Sequence, residues 1–118
     1  MAEDPLLEKT TRMNELMDYY GELLPPKQRE VLRYYYSDDL SLQEIAEMFG
    51  MSRQAVYDLI RRGEKSLQET ENALGLIRKE RLRQAQLQRL KVLLSRHLLD
   101  DGPDGKAILT LVDEMMRL

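Results

Sequence analysis

The sequence predicts an all-α protein: a helix-turn-helix core, preceded by an N-terminal helix and followed by a C-terminal helical extension. Three observations support this fold class. The 118 residues include only six Gly and four Pro, whereas the helix formers Leu, Glu, Arg, Gln and Met are frequent. Apolar residues recur at three- and four-residue spacing along most of the chain. The stretch 41–62, SLQEIAEMFGMSRQAVYDLIRR, has the caps and the central glycine of two helices that meet at a short turn.

Two helices are predicted before this core, and Pro25-Pro26 separates them. The first covers residues 6–24, and the second runs from Lys27 to about Tyr36. The apolar side of the first helix comprises Leu6, Met13, Leu16, Met17, Tyr20 and Leu23. The inward side of the second comprises Val31, Leu32, Tyr35 and Tyr36. The polar residues that follow, Ser37-Asp38-Asp39, are typical of a turn.

The helix-turn-helix itself is predicted from agreement between several positions. Ser41 is a good N-cap, and Glu44 three residues later completes a capping box. Gly50 stands where a tight turn requires positive φ, and Ser52 can cap the second helix. Small Ala46 allows the two helices to cross closely. Val56, Leu59 and Ile60 form the buried side of the second helix.

The second helix of the motif begins at Arg53 and need not end at Arg62, because Gly63, Leu67 and Leu74 continue its buried side. A glycine inside a helix costs about 1 kcal/mol relative to Ala, so we expect close packing at Gly63. Asn72 to Gly75 has the pattern of a helix end, with Gly75 as the C-cap. The alternative is one long helix across residues 53–99.

The C-terminal extension, residues 76–118, is predicted as a separate region from the domain of residues 1–75. Residues 76–99 read as a basic helix with Leu87, Leu90, Leu94 and Leu98 on one face. Residues 104–117 form a last amphipathic helix, whose apolar side comprises Ile108, Leu109, Val112, Met115 and Met116. This helix either docks on the basic helix or serves a partner.

Composition excludes several classes of function. The net charge of −3 argues against a DNA binder that relies on charge alone. The chain has no Cys and one His, so neither a thiolate metal site nor a zinc site is expected. We find no nucleophile–base pair and no phosphate-binding loop, so we expect no enzyme activity and no cofactor. With no apolar run of membrane length, a cytoplasmic protein is expected, without membrane insertion.

Two sets of residues are candidates for nucleic-acid contact. By their position in the motif, Arg53, Gln54, Tyr57 and Arg61 would face the major groove, with Asp58 beside them. The second set lies in segment 71–99, which carries seven basic and two acidic residues. Its densest cluster comprises Arg78, Lys79, Arg81 and Arg83. This cluster predicts phosphate contact, most simply with RNA, or an acidic partner. The alternative is a solvated helix face that balances the acidic N-terminal region.

Several segments together resemble the YlxM-like helix-turn-helix proteins of bacteria. They are Lys9-Thr10-Thr11-Arg12-Met13-Asn14, Leu24-Pro25-Pro26-Lys27-Gln28-Arg29, Tyr34 to Leu42 (YYYSDDLSL) and, most specifically, Ser52 to Asp58 (SRQAVYD). The resemblance covers about residues 8–75 well and the tail loosely. That family is all-helical and resembles region 4 of sigma factors. It is linked to the signal recognition particle, chiefly by gene neighbourhood.

The resemblance implies a non-enzymatic regulatory or accessory protein of the signal recognition particle pathway of co-translational targeting. The particle's RNA or its GTPase proteins are then the expected partners. The alternative is a DNA-binding transcriptional regulator like a lone sigma region 4, with duplex DNA as its ligand. A homodimer is a further expectation that the sequence leaves open.

Overall fold

The computed structural model describes residues 5–97 and 102–118, and within them the chain forms six α-helices and one 3₁₀ helix. The α-helices are α1 (Pro5–Tyr20), α2 (Pro26–Tyr36), α3 (Leu42–Phe49), α4 (Arg53–Leu74), α5 (Leu76–His97) and α6 (Pro103–Arg117), and the 3₁₀ helix is Gly21–Leu23. The predicted all-α class is confirmed. None of the described helices is both long enough and apolar enough to span a membrane.

The chain divides into two compact units, residues 1–76 and residues 77–118. In the first unit, α4 is the central helix and contacts α1, α2 and α3. The largest fully buried side chains of this unit come from all four helices: Leu16, Tyr20, Val31, Leu32, Ile45, Val56 and Leu67. Burial of these side chains removes apolar surface from water, which is the main term that stabilises the unit.

The predicted caps and turn of the helix-turn-helix are confirmed. The Ser41 hydroxyl accepts a hydrogen bond from the Glu44 backbone N–H at 3.0 Å, and the Glu44 carboxylate accepts one from the Ser41 N–H at 3.1 Å. Gly50 has φ of 64°, a left-handed conformation that costs little only for glycine. The Ser52 hydroxyl then caps α4 by accepting from the Ala55 N–H at 3.0 Å. Local hydrogen bonds therefore fix where α3 ends and α4 begins.

The long helix α4 continues past Arg62 and ends at Leu74, and Gly75 forms the predicted C-cap with φ of 65°. A helix boundary therefore separates α4 from α5, and a single helix over residues 53–99 is excluded. The expected close packing at Gly63 is also present. A Cβ added at Gly63 would lie 2.5 Å from Cδ1 of Leu32, which is fully buried in α2.

In the first unit three predicted core positions are exposed, and all three lie near helix ends. The first helix ends at Tyr20, and Gly21–Leu23 forms a 3₁₀ helix with three residues per turn, so the predicted phase is lost and Leu23 is 70% exposed. Leu6 and Leu74, in the terminal turns of α1 and α4, are 69% and 47% exposed. Periodicity identifies the side of a helix but not how far along it the neighbouring helices reach.

Two hydroxyl–carboxylate pairs, one buried and one partly buried, connect helices of the first unit. The Tyr20 hydroxyl donates to Oε1 of buried Glu71 at 2.5 Å and accepts from the Leu76 N–H at 3.2 Å, so it joins α1 to the end of α4. The Tyr36 hydroxyl donates to Oε1 of Glu64, which also lies 3.5 Å from Nζ of Lys9. Burial, followed by this hydrogen bond, raises the pKa of Tyr36 well above its usual range.

The second unit contains an α5–α6 hairpin. Leu87 of α5 and Val112 of α6 are buried, and Lys91 Nζ lies 2.8 Å from Oδ1 of Asp113. The last helix therefore packs on the basic helix, as one of the two predicted alternatives required. The predicted leucine face is only partly covered, because Leu90 is exposed and Leu94 is partly exposed. Leu98, the last member of that face, lies outside the described residues.

Candidate nucleic-acid interface

The first three turns of α4 present a polar surface opposite the buried side of the helix. Arg53, Gln54, Tyr57 and Arg61 are all exposed. Val56 and Ile60, which lie between them in sequence, are buried against the rest of the first unit. We call these four exposed residues the α4 surface. In a helix-turn-helix, the corresponding part of the second helix is the part that enters the major groove.

Contacts between neighbouring turns pre-arrange this surface. The guanidinium carbon of Arg61 lies 5.9 Å from the ring centroid of Tyr57, within the range of a cation–π interaction. The Gln54 side-chain amide donates to Oδ1 of Asp58 at 3.0 Å. Gln54 would have to exchange this bond in order to read a base edge, and Asp58 adds a negative charge that phosphates disfavour. The surface is therefore polar but not strongly positive.

Arg53 lies at the start of α4, the part of the second helix that contacts base edges in a helix-turn-helix. It is the first residue of the helix, directly after the Ser52 cap, and its side chain is exposed. Together with Leu42, Gln54 and Tyr57 it lines a concave surface of about 430 Å³ beside the start of α3. The concavity places the α3 residue Leu42 next to the α4 surface. Leu42 was not predicted as part of this site, although the sequence shows that it directly follows the Ser41 cap at the start of α3.

The adjacent tyrosines of α2 do not form a stacking platform. The rings of Tyr34 and Phe49 have centroids 6.0 Å apart, and the Tyr35 and Tyr36 rings pack edge to face at 4.9 Å. Tyr36 is buried, while Tyr34 and Tyr35 are half-buried. These rings therefore serve packing between α2 and α3 and within α2, the more usual use of such side chains.

The basic residues of α5 do not share one side of the helix. Successive residues of an α-helix are rotated by about 100°, so Arg78 and Arg81 lie on one side whereas Lys79 and Arg83 lie on another. Arg78, Lys79 and Arg81 are exposed. The sequence cluster therefore does not become a single patch of four cations. A phosphate backbone that follows one side of α5 would meet at most two of them.

The guanidinium donors of Arg83 bond within the hairpin. Its guanidinium forms two hydrogen bonds with the Glu80 carboxylate, at 2.9 and 2.7 Å. It also donates to the carbonyl oxygens of Met115 at 2.6 Å and Leu118 at 3.0 Å. Hydrogen bonds from Arg83, and then from Gln84, lower the pKa of Glu80 to about 2. A phosphate contact by Arg83 would require these four bonds to break.

Sequence reasoning had no signal for this role of Arg83, because its partner carbonyls lie 32 and 35 residues away. Only the Glu80–Arg83 pair, at a spacing of three residues, could have been predicted from the sequence.

The part of the chain that the structure describes contains no candidate metal site, because no three His, Asp or Glu side chains there are grouped to hold an ion.

Comparison with known proteins identifies the family. The model of the family UPF0122, described as "Putative helix-turn-helix protein, YlxM / p13 like", matches residues 7–100. The chain belongs to this family. The resemblance drawn from the sequence is thereby confirmed, and the match extends beyond residues 8–75 over the whole of α5.

Curated relatives of this YlxM/p13-like chain share most of its length. A UPF0122 protein of Geobacillus kaustophilus (strain HTA426) is 49% identical over 112 residues, which cover 93% of this chain and 99% of the relative. One from Anoxybacillus flavithermus is 47% identical over 113 residues, or 96% and 99% of the two chains. One from Bacillus mycoides (strain KBAB4) is 57% identical over 90 residues, or 76% and 82%.

Family membership and the exposed α4 surface agree on the coarse function. A helix-turn-helix of this family supports a regulatory role of the DNA-binding type. The relatives are named only as UPF0122 proteins, so their names add no ligand, partner or pathway.

Proposed function

We propose that this protein is a non-enzymatic regulatory protein of the signal recognition particle pathway of co-translational targeting, and that it acts by binding nucleic acid. One observation carries the nucleic-acid part: α5 exposes three basic side chains, those of Arg78, Lys79 and Arg81, which can contact phosphates. The pathway part is supported by the resemblance to YlxM-like proteins. A protein that acts there works in the cytoplasm, on the particle's RNA or its GTPase proteins.

The chemistry of the α4 surface suits a duplex with an open major groove. Arg can bond bidentately to O6 and N7 of guanine, and Gln to N6 and N7 of adenine. Arg53 and Gln54 stand in the first turn of α4, where such contacts are made. Tyr57 and Arg61, stacked one turn later, can extend contact to the sugar-phosphate backbone.

Double-stranded RNA would engage a different surface. The major groove of A-form RNA is deep and too narrow for a helix, so recognition there uses shape, phosphates and 2′-hydroxyls. The exposed basic side chains of Arg78, Lys79 and Arg81 in α5 fit that use, because contact with phosphates requires only positive charge. Binding to particle RNA therefore depends on α5, and binding to DNA depends on α4.

The second candidate is a DNA-binding transcriptional regulator like a lone sigma region 4. The α4 surface favours it, and so does the engagement of Arg83 within the hairpin, which removes one cation from the RNA-binding set. The two candidates use the same chain but different helices, so substitutions can separate them.

The experiment measures binding of the full chain to particle RNA, to duplex DNA and to the particle's GTPase protein over a range of salt concentrations. Arg78→Ala with Arg81→Ala should weaken RNA binding. It should also flatten its salt dependence by about one to two units, since each lost phosphate contact removes roughly 0.7 to 0.9 from the slope. Arg53→Ala with Gln54→Ala should leave RNA binding nearly unchanged. The matched control is Lys27→Ala with Arg33→Ala, which removes two exposed charges from α2.

The outcomes assign the ligand. RNA binding that the α5 variant does not alter, combined with loss of preference for one DNA sequence in the α4 variant, contradicts the particle-RNA proposal and favours the sigma-like regulator. The protein alone should not hydrolyse nucleotides. A changed hydrolysis rate on its addition to the particle's GTPase supports the pathway, whereas hydrolysis by the repurified protein alone contradicts the non-enzymatic role.

A further inference from the structure

The α5–α6 hairpin buries few apolar side chains. Among its described residues, Ile77, Leu87, Gly105 and Val112 are buried. The chain has no Cys, so no disulfide can reinforce the hairpin, and the described residues hold no metal-type cluster. Units of about 40 residues usually need such a link, or an oligomer, to be stable. The hairpin therefore lacks most of the core that its size requires.

The same hairpin exposes large apolar side chains from both helices. Leu82 is 59% exposed and Leu111 is 58% exposed, with the whole chain present. Leu90 and Leu93 of α5 and Ile108 and Met115 of α6 are exposed as well. At about 100° of rotation per residue, Leu82, Leu90 and Leu93 fall within about 80° of the circumference of α5, and the three α6 residues fall within about 60°. Exposed Val92 lies on a different side of α5 and is not part of this stripe. Each helix thus has one apolar stripe in solvent.

The ion pair between Lys91 and Asp113 shows that the two stripes lie on the same side of the hairpin. Around α5 the rotational order is Lys91, buried Leu87, Leu90, Leu93; around α6 it is Asp113, buried Val112, Ile108, Leu111. Both orders start at the ion-paired edge, pass through the buried contact and end at the exposed stripe. The six residues Leu82, Leu90, Leu93, Ile108, Leu111 and Met115 form one surface, the hairpin face.

We propose that the hairpin face binds a second copy of this chain, so that two hairpins form a four-helix bundle. The charges beside the two stripes favour a second copy as the binding partner. Exposed Arg89 and Arg96 accompany the α5 stripe, whereas exposed Asp104 lies seven residues before Leu111 on the α6 stripe. A two-fold axis that sets α5 of one copy against α6 of the other brings opposite charges together and covers both stripes. Closed two-fold pairing is also the commonest form of homo-oligomer, and the bundle supplies the missing core.

The dimer has a consequence for ligand binding that rests on the proposed function. Two linked copies present two α4 surfaces, so a nucleic acid with two sites would be bound with avidity. The oligomeric state itself is measured without nucleic acid. Failure of the dimer and failure of the proposed function therefore give separate results.

The test is sedimentation equilibrium of the full chain over a range of micromolar concentrations. The wild type should sediment as a dimer. Leu111→Glu should raise the dissociation constant by roughly 100-fold or more, because the two-fold axis places each substitution in the interface twice. The matched control is Leu7→Glu in α1, where the leucine is similarly exposed, at 63%, and the added charge is the same. This variant should remain a dimer.

Circular dichroism of each variant separates dissociation from unfolding. If Leu111→Glu loses helix content, the sedimentation of Leu82→Glu, a variant of the α5 stripe, tests the interface instead. A monomeric wild type overturns the proposal and leaves the face to a different protein. A dimer that both hairpin variants retain with unchanged affinity overturns it as well, since the interface would then lie elsewhere.

Discussion

Because α2 and α4 approach closely at Gly63, whether Gly63→Ala stabilises or destabilises the protein is a sharp test of the fold. In Gly63→Ala the added Cβ would lie 2.5 Å from Cδ1 and 3.2 Å from Cγ of Leu32, and 3.3 Å from Cγ of Gln28. Leu32 is fully buried, so its side chain cannot turn into solvent. Either α2 or α4 must therefore move slightly to accept the methyl group.

Two opposing contributions set the change in the free energy of unfolding of Gly63→Ala. Alanine favours a helix interior over glycine by about 1 kcal/mol. Overpacking a well-filled core costs about 1–3 kcal/mol, and contact with both Cγ and Cδ1 of a buried leucine places Gly63 in the upper half of that range. We expect a net loss of about 1–2 kcal/mol, equivalent to a fall in Tm of roughly 5–10 °C for a unit of this size.

The assay is thermal and urea unfolding followed by far-ultraviolet circular dichroism, with Gly21→Ala as the matched control. Gly21 is also buried, but its added Cβ would meet only Cβ of Met17 at 3.7 Å, an ordinary contact. Gly21→Ala should therefore be neutral or stabilise by about 0.4–1 kcal/mol, through the unfolded state. The same chemical change should thus destabilise the protein at Gly63 but not at Gly21.

A double-mutant cycle ties the loss to the named contact. Leu32→Val removes the atom nearest to the new methyl group, so Gly63→Ala should cost less in the Leu32→Val background than in the wild type. The reasoning is refuted if Gly63→Ala is as stable as the wild type, or if the two substitutions are simply additive.

Three further predictions concern other parts of the first unit. Val56→Asp should lower the free energy of unfolding by about 3 kcal/mol or more, because it places an unpaired charge in the core; an unchanged melting point would contradict the assignment of the motif. Ser52→Ala should cost about 1 kcal/mol by removal of the α4 cap, whereas Ser52→Asp should retain most of it; urea unfolding that shows equal losses for both would reject the cap as the cause. The raised pKa of Tyr36 means that its stabilising contribution is present below the unfolded-state pKa of about 10 and is lost as pH rises above that value. In urea unfolding at increasing alkaline pH, stability should therefore decline less steeply in Tyr36→Phe than in the wild type, and identical slopes would argue against the Tyr36–Glu64 hydrogen bond.

Much of the candidate site followed from local register. Once Ser52 was recognised as a cap, the period of the helix placed Val56 and Ile60 inside and Arg53, Tyr57 and Arg61 outside, as the structure has them. The Gln54–Asp58 bond also follows from a four-residue spacing. Local register could not predict which distant residues contact the side chains of α5. There, Arg83 donates to backbone carbonyl oxygens that lie more than 30 residues away in sequence.

The sequence by itself determined the all-α class, the capping box and the turn at Gly50, and it favoured the helix boundary at Gly75 over one long helix. These features depend on backbone preferences and hydrogen bonds between residues at most five positions apart, so the tertiary structure need not be known. Tertiary structure decided which ends of the predicted stripes are covered, as Leu23 and Leu74 show. It also decided which side chains become structural, as Tyr36 and Arg83 show. The physical reason is that burial and long-range hydrogen bonds depend on where other helices lie, and a single helix's periodicity does not contain that information.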